Sequence, residues 1–348
     1  MGVDVSMKGR PVRAAYAAGT AVAVVIAIGV FLPSTGTVER KITTTAHRAT
    51  VFALIDNQRQ ASKWCPWLDT DPNVRLEFSG PRRGSGAALH WDGSVVGSGS
   101  QVIEESFPRD YIGSRLELAG VGVGASRLAL TERDGGTLIE WRFEMRFGRN
   151  LFSRYLGLML DGRIGDDMSR GLANLVELAE SLPPHDFSDL DVEHIVVESV
   201  DVALLPTSSE PLAAAISEAL GDAYFQILAF IDANGLKDTG APLSISRAFS
   251  GSQLRFDAGV PVSGITAETP RSDGMVRLAK TYGGPVIRVK HVGSYAELAR
   301  THDKMAAYLA AMGIERNGDV WESYVSDPIR TAESELITYL YYPVKPGT

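Results

Sequence analysis

Between residues 138 and 147 the chain alternates: Ile139, Trp141, Phe143, Met145 and Phe147 are apolar, while Glu140, Arg142, Glu144 and Arg146 are charged. A period of two predicts a strand with one buried face. Stretches 111–119 and 126–132 alternate less cleanly and are expected to pair with it, with a hairpin turn at Gly135-Gly136. The period then changes. Ile164, Met168, Leu172, Leu175, Ala179 and Leu182 recur at steps of four and three, the stripe of a long helix lying along a curved sheet. Ahead of these, 38–45 reads as a strand, and Ala49, Val51, Phe52, Ala53 and Ile55 as a short helix.

The second half starts again. A strand is expected over 195–205, with Ile195, Val197, Val200, Val202 and Leu204 apolar. Glu210-Pro211 opens a helix whose stripe is Leu212, Ile216, Leu220, Ile227 and Phe230-Ile231, and Asn234-Gly235 ends it. Strands are expected at 243–249, 253–262, 276–282 and 286–292. A second helix spans 295–312, with Leu298, His302, Met305, Leu309 and Met312 in phase and Gly313 at its end. Strands near 321–325 and 335–342 close the chain. Strand, helix, strand, strand thus occurs twice, a repeat of architecture without repeat of sequence.

Proline, serine and aspartate interrupt the periodicity at 183–192, between the two patterns. Four of the five tryptophans precede residue 150 and eight of the eleven tyrosines follow residue 200, which favours two separate cores. The expected class is α+β, with a domain at 36–182, a linker at 183–192 and a second domain at 193–348. Length agrees, since 348 residues suit two domains.

One segment bears on compartment. Residues 14–32 hold nineteen consecutive uncharged positions, nearly enough as a helix for a bilayer core, and Lys8, Arg10 and Arg13 precede them. The expectation is a single-pass anchor within 1–35, in the cytoplasmic membrane, with the N-terminus inside and both domains outside. A cleaved signal peptide, cut near Ser34 or Gly36, is the alternative. Net charge, 34 basic against 42 acidic residues, is −8, which argues against a nucleic-acid partner. The lone Cys65 excludes an intrachain disulfide and a cysteine-based zinc site.

The first domain resembles the START-like (SRPBCC) polyketide cyclase/dehydrase group, in its order of elements and in Trp64-Cys65-Pro66-Trp67, Gly84-Ser85-Gly86-Ala87, Trp91-Asp92-Gly93 and Gly97-Ser98-Gly99. The resemblance implies a helix-grip fold over an apolar cavity, with Trp64 and Trp67 at its mouth or in ordinary core packing. The second domain resembles the GyrI-like effector-binding domain of AraC-type and multidrug-sensing regulators. The residues behind this are 256–262, His291-Val292-Gly293-Ser294-Tyr295, Trp321-Glu322-Ser323-Tyr324 with Asp327-Pro328, and the closing 336–344. That resemblance implies a tandem β-α-β-β fold and a pocket floored by a glutamate, whose place Glu322 takes, and walled by aromatics. No helix-turn-helix precedes the domain, which argues against transcription control.

Glu322 is the leading candidate residue. On a strand it shares a face with Tyr324, while Trp321 and Ser323 point the other way. A carboxylate among aromatics suits a lipophilic cation through charge and cation–π attraction, or serves as a general acid or base when burial raises its pKa. Tyr295, Phe256 and Tyr282 join Trp321 and Tyr324 as candidate walls. His291 reads as structural, and His302-Asp303 lies on a helix with no identifiable nucleophile beside it. Gly120-Val121-Gly122-Val123-Gly124 is followed by a strand where a dinucleotide loop needs a helix. The histidines lack metal-ligand spacing, so neither a metal nor a cofactor is expected. The function expected is binding of a small hydrophobic or cationic amphipathic ligand by a membrane-anchored protein with two pockets. The alternatives are Glu322-dependent hydrolysis of a reactive small molecule and ligand sensing for a membrane partner.

Overall fold

The computed structural model describes residues 19, 20, 23, 24, 26–71, 73–119, 122–148, 151–158, 160–250 and 252–347. The chain forms two compact units, Met1–Pro184 and His185–Thr348. Of the expected anchor, residues 14–18, 21, 22 and 25 lie outside the described residues. Among the described residues, the helix long and apolar enough to cross a bilayer is Ala213–Ala233. Its Leu220, Ala223, Ile227, Phe230 and Ile231 are buried in the second unit's core, as in a sheet-covering helix.

The first unit runs β1 (Thr35–Thr44), α1 (Arg48–Ile55), α2 (Gln58–Ala61), α3 (Pro66–Asp69), β2 (Arg75–Ser79), β3 (Ala88–Gly93), β4 (Gly97–Phe107), β5 (Tyr111–Leu118), β6 (Gly122–Arg133), β7 (Gly136–Arg146), α4 (Leu151–Gly157) and α5 (Leu160–Ser181). Its strands form one antiparallel sheet, ordered β1-β7-β6-β5-β4-β3-β2. The alternation of β7 decides its faces. Ile139, Trp141, Phe143 and Met145 are buried, while Glu140 points outward and pairs with Lys41 directly across on β1. Met168, Leu172, Leu175 and Ala179 of α5 meet that buried face, the methionine and the two leucines contributing roughly 1.5–3 kcal/mol each. Helix and sheet approach closely because Gly171 has no side chain; a Cβ there would lie 2.9 Å from the Trp141 ring and 3.0 Å from Pro66. The end of α5 is tied to β1: Glu180 Oε1 accepts from Thr44 Oγ1 at 2.8 Å, the Thr45 N–H at 3.0 Å and Thr45 Oγ1 at 3.1 Å. These donors hold its carboxyl below the usual carboxylate range. Residues 26–31 are helical, and Arg154 of α4 donates to the carbonyls of Gly29, Val30 and Leu32 at their end.

The second unit runs β8 (Val192–Val197), β9 (Asp201–Ser209), α6 (Ala213–Ala233), β10 (Lys237–Asp238), β11 (Leu243–Ser250), β12 (Gln253–Ser263), β13 (Ser272–Asp273), β14 (Val276–Lys280), β15 (Gly284–Val292), α7 (Leu298–Met312), β16 (Trp321–Tyr324) and β17 (Ile337–Pro343). The sheet is ordered β13-β14-β9-β12-β11-β16-β17-β15-β8. Its centre is mirrored: β9-β12-β11 on one side answers β15-β17-β16 on the other, about the β11–β16 pair. The two strand-helix-strand-strand repeats therefore meet where Ser244 faces Glu322.

The single strand expected over 195–205 is two. The polar Glu198-Ser199 interrupts the ladder, so β8 pairs with β15 and β9 with β14. The register nonetheless runs on without a slip, from Arg277 opposite Leu204 to Lys280 opposite Asp201, then from Gly284 opposite Val197 to Val289 opposite Val192. Across the gap Thr281 N–H donates to the Val200 carbonyl at 2.9 Å, and Ser199 Oγ to the Thr281 carbonyl at 2.7 Å. The helix expected over 295–312 begins with a 3-10 turn at Tyr295–Glu297 and becomes α7 at Leu298. It ends at Gly313, whose φ of 64° is the left-handed conformation that glycine adopts without penalty.

Candidate ligand-binding site

Strand alternation and register place Glu322, Tyr324, Ser244, Thr338, Leu340 and Tyr342 on one face of the sheet. This is the face that α6 and α7 cover: Tyr224 of α6 donates to the Leu243 carbonyl at 3.0 Å, and His302 of α7 reaches both β16 and β17.

Glu322 lies at the centre of a short chain of hydrogen bonds. Its Oε1 accepts from His302 Nε2 at 2.8 Å, and its Oε2 accepts from the Tyr324 hydroxyl at 2.6 Å. His302 Nδ1 lies 2.6 Å from the Tyr342 hydroxyl. A carboxylate can only accept, so Nε2 carries a hydrogen; in the neutral ring Nδ1 then accepts from Tyr342. The Glu322 and His302 side chains are 16% and 31% exposed, so a solute can reach the pair. The surrounding phenols stay neutral donors. Burial first, and the Glu322 charge second, push Tyr224, Tyr324 and Tyr342 upward. Tyr295 completes this side with its ring edge-on to Tyr324 at 5.4 Å.

Other candidate residues lie elsewhere. Trp321 is on the opposite face, stacked on Tyr341 at 4.7 Å with Tyr282 at 6.1 Å. The same cross-strand row continues through Arg288, which pairs with Glu193 at 2.5 Å. Phe256 is buried in the core under α6. Trp64 and Trp67 belong to the first unit, edge-on to Trp141 at 5.7 and 6.0 Å. Their indole N–H groups donate to the Leu54 carbonyl at 3.4 Å and to Asp167 Oδ2 at 2.9 Å. His291 is buried: Nδ1 accepts from Thr301 Oγ1 at 2.9 Å, and Nε2 donates to the Ser294 carbonyl at 3.2 Å, clamping the turn before α7.

Sequence reasoning overlooked His302 and Tyr342 as members of the Glu322 cluster. The signal for His302 was its phase with Leu298, Met305 and Leu309, which turns it toward the sheet. A surface cavity of about 300 Å³ lies apart from this cluster, lined in part by Arg247, Arg255 and Asp257. Its Arg247 is held by Asp257 and Asp319 at 2.8 and 2.5 Å, so the guanidinium is already committed, and the cluster around Glu322 offers the more distinctive chemistry.

Two family matches fall on the chain in order. Residues 35–180 match the family described as polyketide cyclase / dehydrase and lipid transport, and residues 212–345 match the GyrI-like small molecule binding domain. Both domains are of small-molecule-binding type. Among solved structures, the EcmrR C-terminal domain is similar at 13% identity, covering 45% of this chain and 98% of that one, with a TM-score of 0.40. A hydrolase from Listeria innocua is similar at 16% identity, with coverage of 44% and 91% and a TM-score of 0.33. Ara h 8.0201 is similar at 12% identity, with coverage of 41% and 99% and a TM-score of 0.33. Likenesses this remote carry no functional argument. No curated protein matches the chain. In the GyrI-like unit the repeats meet at β11 and β16, so the Glu322 cluster stands at their junction.

Proposed function

We infer that the protein binds small cationic amphipathic molecules at Glu322 of the GyrI-like unit. The observation that carries this reading is a part-buried carboxylate, fixed by two donors among neutral phenols, within a domain of small-molecule-binding type. Preorganised negative charge beside aromatic rings attracts a cation that can shed its water. The START-like unit is the second binding domain in this reading, taking an apolar ligand. The protein acts at the cytoplasmic membrane, held by residues 14–32 with both units outside. Support comes from Val24, Ile26, Ile28, Val30 and Phe31, whose apolar side chains are all exposed, Phe31 at 89%.

The test is titration of the full chain with tetraphenylphosphonium. Glu322→Gln preserves shape and removes the charge, and it is expected to weaken binding about tenfold or more. Equal affinity in the two proteins overturns the assignment to Glu322. A second reading, hydrolysis with Glu322 as general base, is favoured by the carboxylate–imidazole–phenol chain, which can hold and pass a proton. Turnover of a reactive electrophile, lost in Glu322→Gln while binding persists, distinguishes it.

A further inference from the structure

We propose that His302 is the specificity-determining residue of the Glu322 site, because its proton and a cationic ligand compete for the same carboxylate. This rests on the cation reading above and adds a condition to it.

The geometry sets up the competition. His302 Nε2 already holds Glu322 Oε1 at 2.8 Å, so a charge on the imidazole acts directly on the carboxylate that a bound cation would face. With the ring neutral, the pair carries one negative charge. When Nδ1 takes a proton the pair is a carboxylate beside an imidazolium, and its net charge is zero. Tyr342 allows both states: its hydroxyl donates to Nδ1 of the neutral ring and can turn to accept from Nδ1–H of the charged one. The site therefore needs no rearrangement beyond one hydroxyl rotation to change its charge.

The remaining groups around the ring leave this charge change to His302. The ring meets Glu322 of β16 and Tyr342 of β17, Tyr324 of β16 holds the other oxygen of Glu322, and Tyr224 of α6 feels the Glu322 charge; the three phenols are pushed upward and stay uncharged. Asp303, next to His302 on α7, and Arg316, beyond the end of α7, both act on Tyr342 and bring opposite charges. His302 at 31% exposed exchanges its proton with solvent, and Glu322 at 16% keeps its field poorly screened.

The consequence is a proton-linked site that takes permanent cations while the ring is neutral and releases them when the ring is charged. A quaternary onium ion is the class best suited to it. Such an ion has no proton of its own and donates no hydrogen bond, so it needs neither carboxylate oxygen vacated by His302 or Tyr324.

The experiment follows tetraphenylphosphonium binding to the full chain between pH 5.5 and 8, the range over which an imidazole changes charge. The wild type is expected to bind about tenfold more tightly at pH 8 than at pH 5.5. His302→Gln keeps a donor for Glu322 and is expected to bind with one affinity across the range. Calorimetry of the wild type in two buffers of different ionisation enthalpy supplies a readout that needs no variant: protons are released on binding over the range where the affinity changes, and none where it is constant. A flat wild-type profile overturns the proposal, as does a pH dependence that survives in His302→Gln. Failure of the underlying cation reading looks different, because wild type and Glu322→Gln then bind tetraphenylphosphonium equally weakly at every pH.

Discussion

In the START-like unit the indoles of Trp64, Trp67 and Trp141 each send the N–H to a separate acceptor, the Leu54 carbonyl, Asp167 and Ser126 Oγ. In the GyrI-like unit the polar side chains under the helices turn instead to one another, Tyr324 to Glu322, Glu322 to His302 and His302 to Tyr342. Both arrangements satisfy interior polar atoms, but they differ in what they leave available. A capped indole is finished chemistry, and its ring then acts as packing volume. A linked carboxylate and imidazole retain lone pairs, a mobile proton and a net charge. The difference shows why the first interior offers only apolar ring surface and the second a charged pair.

The largest expected effect breaks the first side of this comparison. Trp141 is buried between Trp64, Trp67 and α5, and Trp141→Ala is expected to cost about 3–5 kcal/mol. Urea unfolding followed by tryptophan fluorescence checks it, since four of the five tryptophans report on this unit. A loss below about 1 kcal/mol would mean the interior collapses around the gap. In the GyrI-like unit, Gly313→Ala forces a side chain into the left-handed cap and is expected to cost about 1 kcal/mol, read by calorimetry.

Two smaller changes sharpen the comparison by removing a polar atom or a charge that stands outside either arrangement. Thr338, opposite Tyr324 and fully buried, has a hydroxyl with no hydrogen-bond partner among the described residues. Thr338→Val is expected to stabilise the GyrI-like unit by up to about 1 kcal/mol in thermal unfolding, because an unmade hydrogen bond is worse than none. Asp56 in the START-like unit accepts from Ser106 Oγ at 2.6 Å, yet burial outweighs that bond and raises its carboxyl pKa. A carboxyl raised in the folded state binds its proton more tightly folded than unfolded, so its contribution to stability falls as pH rises through the folded value. Asp56→Asn is therefore expected to raise the Tm at pH 7, with the gain shrinking as pH approaches about 4.

Legibility in the sequence followed how local the cause was. The alternation of β7 and the stripe of α5 were readable because each buries one face against a large apolar surface, and both elements form where the pattern lies. The break between β8 and β9 left only a faint trace, a step of three instead of two from Val197 to Val200 across Glu198-Ser199, because apolar residues continue on both sides while different strands claim the two ends. Glu322 and Tyr324 could be assigned to one face from strand alternation alone. Their link to His302 could not, because twenty residues and the packing of α7 on the sheet separate them. A histidine in phase with Leu298 and Met305 was the visible trace of that contact. It looked like part of an apolar stripe because helical phase says where a residue faces and not what it meets.

The continuous ribbon formed by β8-β9 and β14-β15 has a consequence for how this chain can change in length. Residues 198–200 and 281–283 carry no strand assignment and resemble surface loops, the usual place for insertions and deletions. Yet a single residue lost from 198–200 would advance β8 by one position and turn its side chains to the opposite face, parting Glu193 from Arg288. Gain or loss there is workable only in matched pairs on both strands, so this gap has the tolerance of a strand interior.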